Sequence, residues 1–211
     1  MQNLETQILH QLVEDRIVQF KSEGYFEFAS GIKSPIYTDL RLTVSYVELR
    51  SMIAEALAKL IKAQYPEVTV IGGVATAGIP HAAIVADKLA LPMVYVRSKP
   101  KDHGTGKQIE GRIEKDDQVV LIDDLISTGG SVIQAAQAVQ REGFQVAGVV
   151  SIFSYGFPDA EQNFKKAGFP FSPLVTYAKL IEELYKTKQI TENKYNSLNQ
   201  WHQDPWNWKA E

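Results

Sequence analysis

The sequence predicts an α/β fold in which a mostly parallel sheet carries helices on both faces. Short apolar runs alternate with amphipathic helical patterns between residues 68 and 154, which is typical of βαβ units. The runs are almost unbroken, as expected for strands that are buried on both faces. Such sheets bind ligands beyond the carboxyl ends of their strands, so we expect the site in the loops after Ile71, Val96, Ile122 and Phe153.

Length and composition indicate one folded domain spanning residues 1–211. Of the 211 residues, 45% are hydrophobic and 22% are charged, and the net charge of -3 argues against a nucleic-acid partner. The absence of cysteine excludes disulfides, thiolate zinc sites and a cysteine nucleophile. The four histidines show no ligand spacing. No signal peptide or membrane-spanning run is apparent, so we predict a cytoplasmic protein with no membrane partner.

The N-terminal elements follow from spacing and turn residues. Apolar residues at helical spacing predict a first helix, namely Leu4, Ile8, Leu9, Leu12 and Ile17. Residues 26–41 carry Gly31 and Pro35 among aromatic and β-branched residues, which indicates extended chain and turns. A second helix has its apolar stripe between Val47 and Ile61, and Pro66 lies just beyond it.

The later elements alternate between strands and helices. We predict strands in VTVIGG, MVYVR, QVVLID and QVAGVVSIF, with helices at about Ile79–Leu89 and Val132–Glu142. After Pro173 we predict a strand in LVTY, a helix through Leu180 and Leu184, and a last helix from Thr191 to about Leu198. The aromatic tail is expected to pack on the domain or on a dimer surface.

The segment QVVLIDDLISTGGS, residues 118–131, predicts an anion site. Gly129 and Gly130 lack side chains, so successive backbone N–H groups and the following helix N-terminus can face one phosphate. Ser127, Thr128 and Ser131 add hydroxyl donors. The alternative is a plain strand-to-helix turn.

Two acids, Asp123 and Asp124, come directly before this loop. They would repel a phosphate unless a sugar lay between, so a ribose with Mg²⁺ nearby fits the arrangement. Their other interpretation is a solvated pair, or the acid and base of a hydrolase. We expect adjacent residues of a strand to point to opposite sides, which argues against the hydrolase.

The segment VVLIDDLISTGGS resembles the motif with which type I phosphoribosyltransferases bind PRPP (5-phosphoribosyl 1-diphosphate). The resemblance implies the type I phosphoribosyltransferase fold, with a core at roughly 43–175 and a small hood formed by roughly 1–42 and C-terminal elements. It implies a catalytic role for Asp124 and Mg²⁺ held mainly through PRPP rather than directly by the protein. The PRPP contacts that it implies here are Asp123, Asp124, Leu125, Ile126, Ser127, Thr128, Gly129, Gly130 and Ser131.

A basic, glycine-rich loop, RSKPKDHGTGKQIEG, follows the strand MVYV. Such a loop can close over a polyanion as a lid, or it can be a solvated hairpin. Its pattern R-x-x-x-K-D-H-G is similar to that of the orotate phosphoribosyltransferase subfamily. This resemblance implies that Lys101, Asp102 and His103 are catalytic and that Arg97, Lys101 and His103 contact PRPP. It also implies a homodimer in which each lid serves the neighbour's site.

Two further segments resemble ligand loops of the subfamily. GGVATAGIPHA resembles the pyrophosphate loop, which implies roles for Ala75, Thr76, Ala77 and Gly78, although tight packing is the alternative. Many relatives carry a lysine where this chain has Ala77.

FASGIKSPIYTDLR resembles the orotate-side segment. Ala29 replaces a common lysine there, and Lys33 is a possible substitute. Tyr155 stands near the position of an arginine in many relatives, so Ser127, Lys33 and Tyr155 are the expected orotate contacts, with the carboxylate left to Ser127 and backbone donors.

The implied reaction transfers the 5-phosphoribosyl group of PRPP to orotate, giving orotidine 5'-phosphate and pyrophosphate in pyrimidine biosynthesis. Two alternatives share the phosphate loop. A PRPP-sensing regulator would lack the KDHG lid and would usually add a basic DNA-binding region, and neither condition holds in this sequence. A purine phosphoribosyltransferase would differ in its lid and hood, and a panel of base substrates distinguishes it.

Overall fold

The computed structural model describes residues 2–21, 24–28, 31–100 and 107–209. The N-terminal part consists of one helix, short strands and a 3-10 turn, followed by a long helix. In order these are α1 (Gln2–Glu14), β1 (Val18–Phe20), β2 (Phe26–Glu27), β3 (Lys33–Ser34), β4 (Ile36–Thr38), the 3-10 helix Leu40–Ser45 and α2 (Val47–Gln64). Strand β1 pairs with β4 and β2 pairs with β3, both antiparallel.

The predicted helix that included Ile17 ends earlier than its spacing suggested. Arg16 has a φ of 55°, a left-handed conformation that a right-handed helix cannot contain. Ile17 is fully buried in the turn before β1 instead. The extended chain and turns predicted for residues 26–41 are confirmed up to Thr38, after which the 3-10 helix begins.

A six-stranded sheet forms the centre of the molecule. Its strands are β5 (Val70–Val74), β6 (Met93–Val96), β7 (Ile109–Glu110), β8 (Gln118–Ile126), β9 (Gln145–Ser154) and β10 (Phe171–Thr176). They lie in the order β10-β9-β8-β5-β6-β7. All pairings are parallel except that of β7 with β6. The mostly parallel sheet is confirmed, and it places the ends of β5, β8 and β9 side by side.

Helices cover both faces of this sheet, as predicted. Besides α2, the helices of this part of the chain are α3 (Gly78–Leu89), α4 (Gly130–Arg141), α5 (Pro158–Ala167), α6 (Tyr177–Lys186) and α7 (Glu192–Gln203). One core cluster joins Ile71 and Val120 to α2 and α3, and the other joins Val70 and Leu121 to α4 and α5. Neighbouring strand residues therefore alternate between two buried faces, which explains the unbroken apolar runs.

The C-terminal helices return to the N-terminal strands. Trp201 of α7 is fully buried, and its indole N–H donates to the Lys33 carbonyl at 2.8 Å. Trp206, by contrast, is 55% exposed. In the structure we use the name hood only for strands β1 to β4 and the 3-10 helix. Helix α7 holds this hood against the core. None of the described helices is long and apolar enough to cross a bilayer.

Candidate active site

A cavity of about 520 Å³ lies between the hood and the carboxyl ends of β5, β8 and β9. Its hood side is lined by Glu27, Phe28, Tyr37, Thr38, Asp39, Leu40 and Arg41. Its core side is lined by Ala75, Thr76, Ala77, Asp123, Asp124, Leu125, Ser127, Ser131 and Tyr155. The structure thus brings three of the four loops identified in the sequence to one space, at the sheet end where ligands of such folds bind.

A second cavity of about 600 Å³ lies between the hood and α7. It is lined by residues such as Lys21, Lys194 and Trp208, and it contains none of the predicted site residues. Size alone would favour this cavity. We assign the site to the smaller one, because only that one combines the glycine-rich loop with the acid pair.

The anion loop, the name used here for residues 127–131, contains fewer residues outside regular structure than the sequence suggested. Strand β8 continues to Ile126, and α4 begins at Gly130, so three residues separate them. Ser127 and Ser131 line the cavity at the N-terminus of α4, where unpaired N–H groups and the helix dipole favour an anion. A Cβ atom on Gly130 would meet nothing within 4 Å, so this side of the loop faces open space.

The other residues of the anion loop support the loop and do not line the cavity. Gly129 has a φ of 80°, and a Cβ there would lie 2.8 Å from the Phe164 ring. The Thr128 carbonyl accepts a hydrogen bond from the Asn163 amide at 2.9 Å. Ile126 is buried in the core beneath the loop. The helix α5, which carries Phe164 and Asn163, is therefore the support of this loop.

The acid pair is buried at the end of β8. Asp123 is 7% exposed, and its Oδ1 accepts the backbone N–H of Asp124 at 3.0 Å. Burial, and then the charge of Asp124, raise the pKa of Asp123, and burial also raises the pKa of Asp124. The expectation that the two side chains point to opposite sides is wrong, because both line the cavity and interact.

This pair therefore binds a proton more readily than two separate carboxylates. It can both accept hydrogen bonds from sugar hydroxyls and donate one when protonated. The hydrolase alternative needs a proton donor and a water-activating base on opposite sides of a bond, a few ångströms apart. Two adjacent carboxyl groups that share one environment do not provide that geometry.

The loop after β5 contains three residues that line the cavity and one that packs against β8. Ala75, Thr76 and Ala77 line the cavity, and the peptide bond between the first two is cis. Gly78 does not line it: a Cβ there would lie 2.2 Å from the Ile122 carbonyl oxygen. Tight packing against β8 thus accounts for the glycine, while the three preceding residues face the ligand space.

Arg97, which follows β6, lies next to the anion loop. Its backbone N–H donates to the Gln108 carbonyl at 2.9 Å, and its guanidinium lies 3.6 Å from the Glu110 carboxylate. It lines a small cavity of about 70 Å³ together with Ser131, which also lines the larger one. The other predicted lid residues, Lys101, Asp102 and His103, lie outside the described residues.

The predicted orotate contacts have different environments. Tyr155 is buried at the cavity, where its ring stacks on Phe157 at 5.3 Å and its hydroxyl donates to Thr38 at 3.2 Å. Lys33 does not line the cavity, and its ammonium lies over the Tyr25 ring, 4.7 Å from the centroid. Of the three predicted contacts, Ser127 and Tyr155 line the cavity, and the hydroxyl of Tyr155 is already bonded to Thr38.

Arg41 lines the same cavity, and the sequence reasoning missed it. Its Nε and Nη2 atoms donate to the two carboxylate oxygens of Asp39 at 2.6 and 2.8 Å. The hydrogen bond from Arg41 holds the pKa of Asp39 below its usual range. The only sequence signal was the D-x-R spacing at the end of YTDLR, which indicates no function by itself.

Behind the hood, a buried histidine connects it to α3. His81 Nε2 lies 3.0 Å from the Thr43 hydroxyl, and that hydroxyl donates to the Leu40 carbonyl. Burial, and then the charge of Arg50, lower the pKa of His81 to about 4, so the ring is neutral at physiological pH. The 3-10 helix that carries Arg41 is therefore fixed to the helix that follows the loop Ala75–Ala77.

Comparison with known proteins gives consistent matches. Residues 45–167 match the family model described as "Phosphoribosyl transferase domain". An orotate phosphoribosyltransferase of Lactobacillus johnsonii is 56% identical over 202 residues, which cover 96% of this chain and 95% of the relative. The solved UMP synthase of Leishmania donovani has a TM-score of 0.77 at 29% identity, covering 93% of this chain and 42% of that longer one.

The orotate phosphoribosyltransferase structure from Aeropyrum pernix has a TM-score of 0.72 at 25% identity, over 84% of this chain and 99% of that one. The fold and the site together define a type I phosphoribosyltransferase. The family model spans more than half of the chain, and the curated relative spans nearly all of it. The chain belongs to the orotate phosphoribosyltransferase family.

Proposed function

We propose that this protein transfers the 5-phosphoribosyl group of PRPP to N1 of orotate, giving orotidine 5'-phosphate and pyrophosphate in pyrimidine biosynthesis. The observation that carries the proposal is the single cavity in which the anion loop, the acid pair and the hood meet. A relative that is 56% identical and carries the orotate phosphoribosyltransferase name supports the choice of base.

The sugar phosphate occupies the core side of the cavity. The N-terminus of α4, with Ser127 and Ser131, binds the 5-phosphate. Asp123 and Asp124 hydrogen-bond the ribose hydroxyls, which donate to carboxylate oxygens. The loop Ala75–Ala77 offers backbone donors to the diphosphate, and Arg97 adds a positive charge beside the same loop region.

Magnesium fits this chemistry through oxygen ligands. Within the part of the chain that the structure describes, no three histidine or acidic side chains cluster as a metal site. The pair Asp123–Asp124 provides carboxylate oxygens, the ligand type that Mg²⁺ prefers, and the PRPP diphosphate provides more. When bound, Mg²⁺ neutralises charge on the departing diphosphate. We therefore propose Mg²⁺ as the cofactor, held mainly through PRPP.

The reaction needs no covalent residue of the protein. The N1 lone pair of deprotonated orotate forms a bond to C1 of the ribose, and the bond from C1 to the diphosphate oxygen breaks. Both substrates are anions, so the protein accelerates the step by holding them in line and stabilising the charge on the diphosphate. The acid pair holds the ribose, and the hood closes one side of the cavity to water.

The lid and the dimer belong to the same proposal. The pattern R-x-x-x-K-D-H-G supports roles for Lys101, Asp102 and His103 at the diphosphate. We propose a cytoplasmic homodimer in which each lid serves the partner's site. Lysine and histidine side chains supply the cationic donors that a departing diphosphate requires.

A panel of bases tests the proposed function. Purified protein with Mg²⁺ and PRPP is expected to consume orotate and to release one pyrophosphate per turnover, while hypoxanthine and guanine are inert. Orotate loss can be followed by ultraviolet absorbance and pyrophosphate by a coupled assay. Turnover of a purine at a comparable rate would contradict the choice of base, and absence of pyrophosphate release would contradict the transfer itself.

A further inference from the structure

Orotate brings a carboxylate into this cavity, and that carboxylate needs a partner. A carboxylate that leaves water without a cation or several donors is strongly destabilised. Tyr155 lines the cavity, but its hydroxyl is engaged with Thr38. Lys33, the other candidate, does not line the cavity. Neither of these two residues therefore supplies a cationic partner for the carboxylate.

Arg41 is the only basic residue among the described residues that line the cavity. It projects from the hood, and its side chain is 67% exposed, whereas that of Asp39 is 20% exposed. Phe28 and Tyr37 line the same side and offer aromatic surfaces to a flat ring. A planar base with an anionic substituent fits this combination better than a phosphate does, because the phosphate has its own donors at α4.

We propose that Arg41 binds the carboxylate of orotate and thereby selects orotate over pyrimidines that lack this group. The inference rests on the proposed function and adds the residue that recognises the base.

The geometry of the guanidinium supports this assignment. Asp39 accepts from Nε and Nη2, which form one edge of the planar group. The edge formed by Nη1 and the second hydrogen of Nη2 has the same two-donor spacing and can bind a second carboxylate side by side. Asp39 thus fixes the orientation of the plane before the substrate arrives, which lowers the entropy that binding would otherwise cost.

Arg41 and Asp124 line the same cavity, so the charge of Arg41 acts across it. Burial raises the pKa of Asp124, while the positive charge of Arg41 is among the influences that lower it. The hydrogen bond to Asp39 raises the pKa of Arg41 further above its ordinary value, so the guanidinium stays charged. One cation therefore faces both the base side and the acid pair that holds the ribose.

Steady-state kinetics of three variants test the inference. Arg41→Ala removes the cation, and Arg41→Lys keeps the charge without the two-donor edge. Arg112→Ala is the matched control, because Arg112 also pairs with an acid two residues away, Glu114 at 2.7 Å, but does not line the cavity. KM and kcat are measured for orotate and for PRPP, uracil serves as the base without the carboxylate, and thermal unfolding confirms that each variant is folded.

We expect Arg41→Ala to raise the KM of orotate on the order of 10- to 100-fold, the effect of losing hydrogen bonds to a charged group. The KM of PRPP should change less than about threefold, and activity toward uracil should not fall, so the preference for orotate shrinks. Arg41→Lys should lie between the wild type and the alanine variant, because the charge remains. Arg112→Ala should match the wild type.

The outcomes separate the inference from the proposed function. If the wild type uses orotate and Arg41→Ala changes the KM of PRPP rather than that of orotate, Arg41 binds the diphosphate and the inference is overturned. An unchanged orotate KM in a folded Arg41→Ala protein overturns it as well. If the wild type itself does not use orotate, the proposed function fails first, and the inference fails with it.

Discussion

The hydroxyl of Tyr155 donates a hydrogen bond to the hydroxyl of Thr38 at 3.2 Å, and this contact joins the end of β9 to the hood strand β4. Both side chains are buried at the cavity, with 2% and 5% exposure. The hood side and the core side of the cavity are thus aligned by a bond between residues distant in the chain. A residue expected to contact orotate also has a structural function.

Removing this bond should affect both stability and activity. Tyr155→Phe leaves the Thr38 hydroxyl without that partner, and we expect the free energy of unfolding to fall by about 1–2 kcal/mol. We expect kcat/KM to fall as well, because the hood is no longer fixed in register with the core. Chemical denaturation and steady-state kinetics measure the two effects.

Tyr177→Phe is the matched control for this variant. Tyr177 is also fully buried, and its hydroxyl donates to the Leu198 carbonyl at 2.9 Å, away from the cavity lining. A similar loss of stability with unchanged kinetics is expected. If both variants lower kcat/KM equally, the loss of activity follows from lower stability of the whole fold. The prediction of a specific role for the Tyr155–Thr38 bond would then be wrong.

The two glycines of the anion loop should respond differently to alanine. Gly129 has a φ of 80° and lies against Phe164, so Gly129→Ala should cost about 1–3 kcal/mol of stability. At Gly130 a methyl group meets nothing within 4 Å, and alanine is a better helix former, so stability should be kept.

The Gly130→Ala methyl would occupy space next to the N–H groups that we propose as the binding site of the 5-phosphate. We expect the KM of PRPP to rise on the order of 10- to 100-fold, because a misplaced phosphate shifts the reacting carbon. Thermal unfolding and PRPP titrations check the pair of variants. A stable Gly130→Ala protein with normal PRPP affinity would place the phosphate elsewhere.

The acid pair should make stability depend on pH. Burial, and then the charge of Asp124, raise the pKa of Asp123 above its ordinary value of 3.8. The folded protein then holds this proton to a higher pH than the unfolded chain does. The free energy of unfolding should therefore fall as the pH rises above about 3.8, until the raised pKa has been passed.

Asp123→Asn should abolish this contribution. We expect the variant to be more stable than the wild type at neutral pH by at least about 1 kcal/mol, since a tenfold change in proton affinity corresponds to about 1.4 kcal/mol. Activity should fall, so stability and activity change in opposite directions. Denaturation between pH 4 and pH 9 measures the effect, with the exposed Asp116→Asn as control. A parallel pH profile for Asp123→Asn and the wild type would contradict the assignment.

The proposed shared site predicts complementation between two inactive variants. Lys101→Ala removes a lid cation, and Asp124→Asn alters the acid pair, so each homodimer should be nearly inactive. In a heterodimer, one site would combine an intact lid with an intact acid pair, and the other would carry both changes. Activity should reappear after subunit exchange and increase with the heterodimer fraction.

Native mass spectrometry measures the heterodimer fraction in this experiment, and orotate turnover measures the activity. Mixing either variant with itself provides the control for handling and dilution. Heterodimers that form without any return of activity would show that each lid serves its own chain. Absence of dimers at assay concentration would contradict the homodimer directly.

Much of the fold could be predicted from local pattern. The strands β5, β8 and β9 are apolar and continuous because both their faces are buried, and they were predicted for that reason. Helix α5 was missed, since its sequence PDAEQNFKKA is mostly polar and buries only Ala160 and Phe164. Its stability comes from packing against the anion loop and α4, and that contact has no signature within ten residues of sequence.

The candidate site was predicted where one segment contains the whole feature. Residues 127–131 form such a segment, and so does the pair Asp123–Asp124, although the opposite orientation expected for its two side chains was wrong, because both line the cavity and interact. Arg41 could not be predicted, since its significance depends on the hood folding over the ends of distant strands. For the same reason, the S-G-x-K-S-P spacing could not show that Lys33 lies over Tyr25 rather than in the cavity.

The contact between Gly78 and the Ile122 carbonyl leaves no room for a side chain. The loops after β5 and β8 are therefore packed together as one rigid wall of the cavity. The opposing wall is the hood, which is joined to the core through individual polar contacts such as Tyr155–Thr38 and His81–Thr43. Changes in the size or charge of the accepted base are therefore most easily made in the hood. Substitutions intended to make the enzyme accept another pyrimidine should therefore be placed in the hood, and the loops after β5 and β8 should be left unchanged.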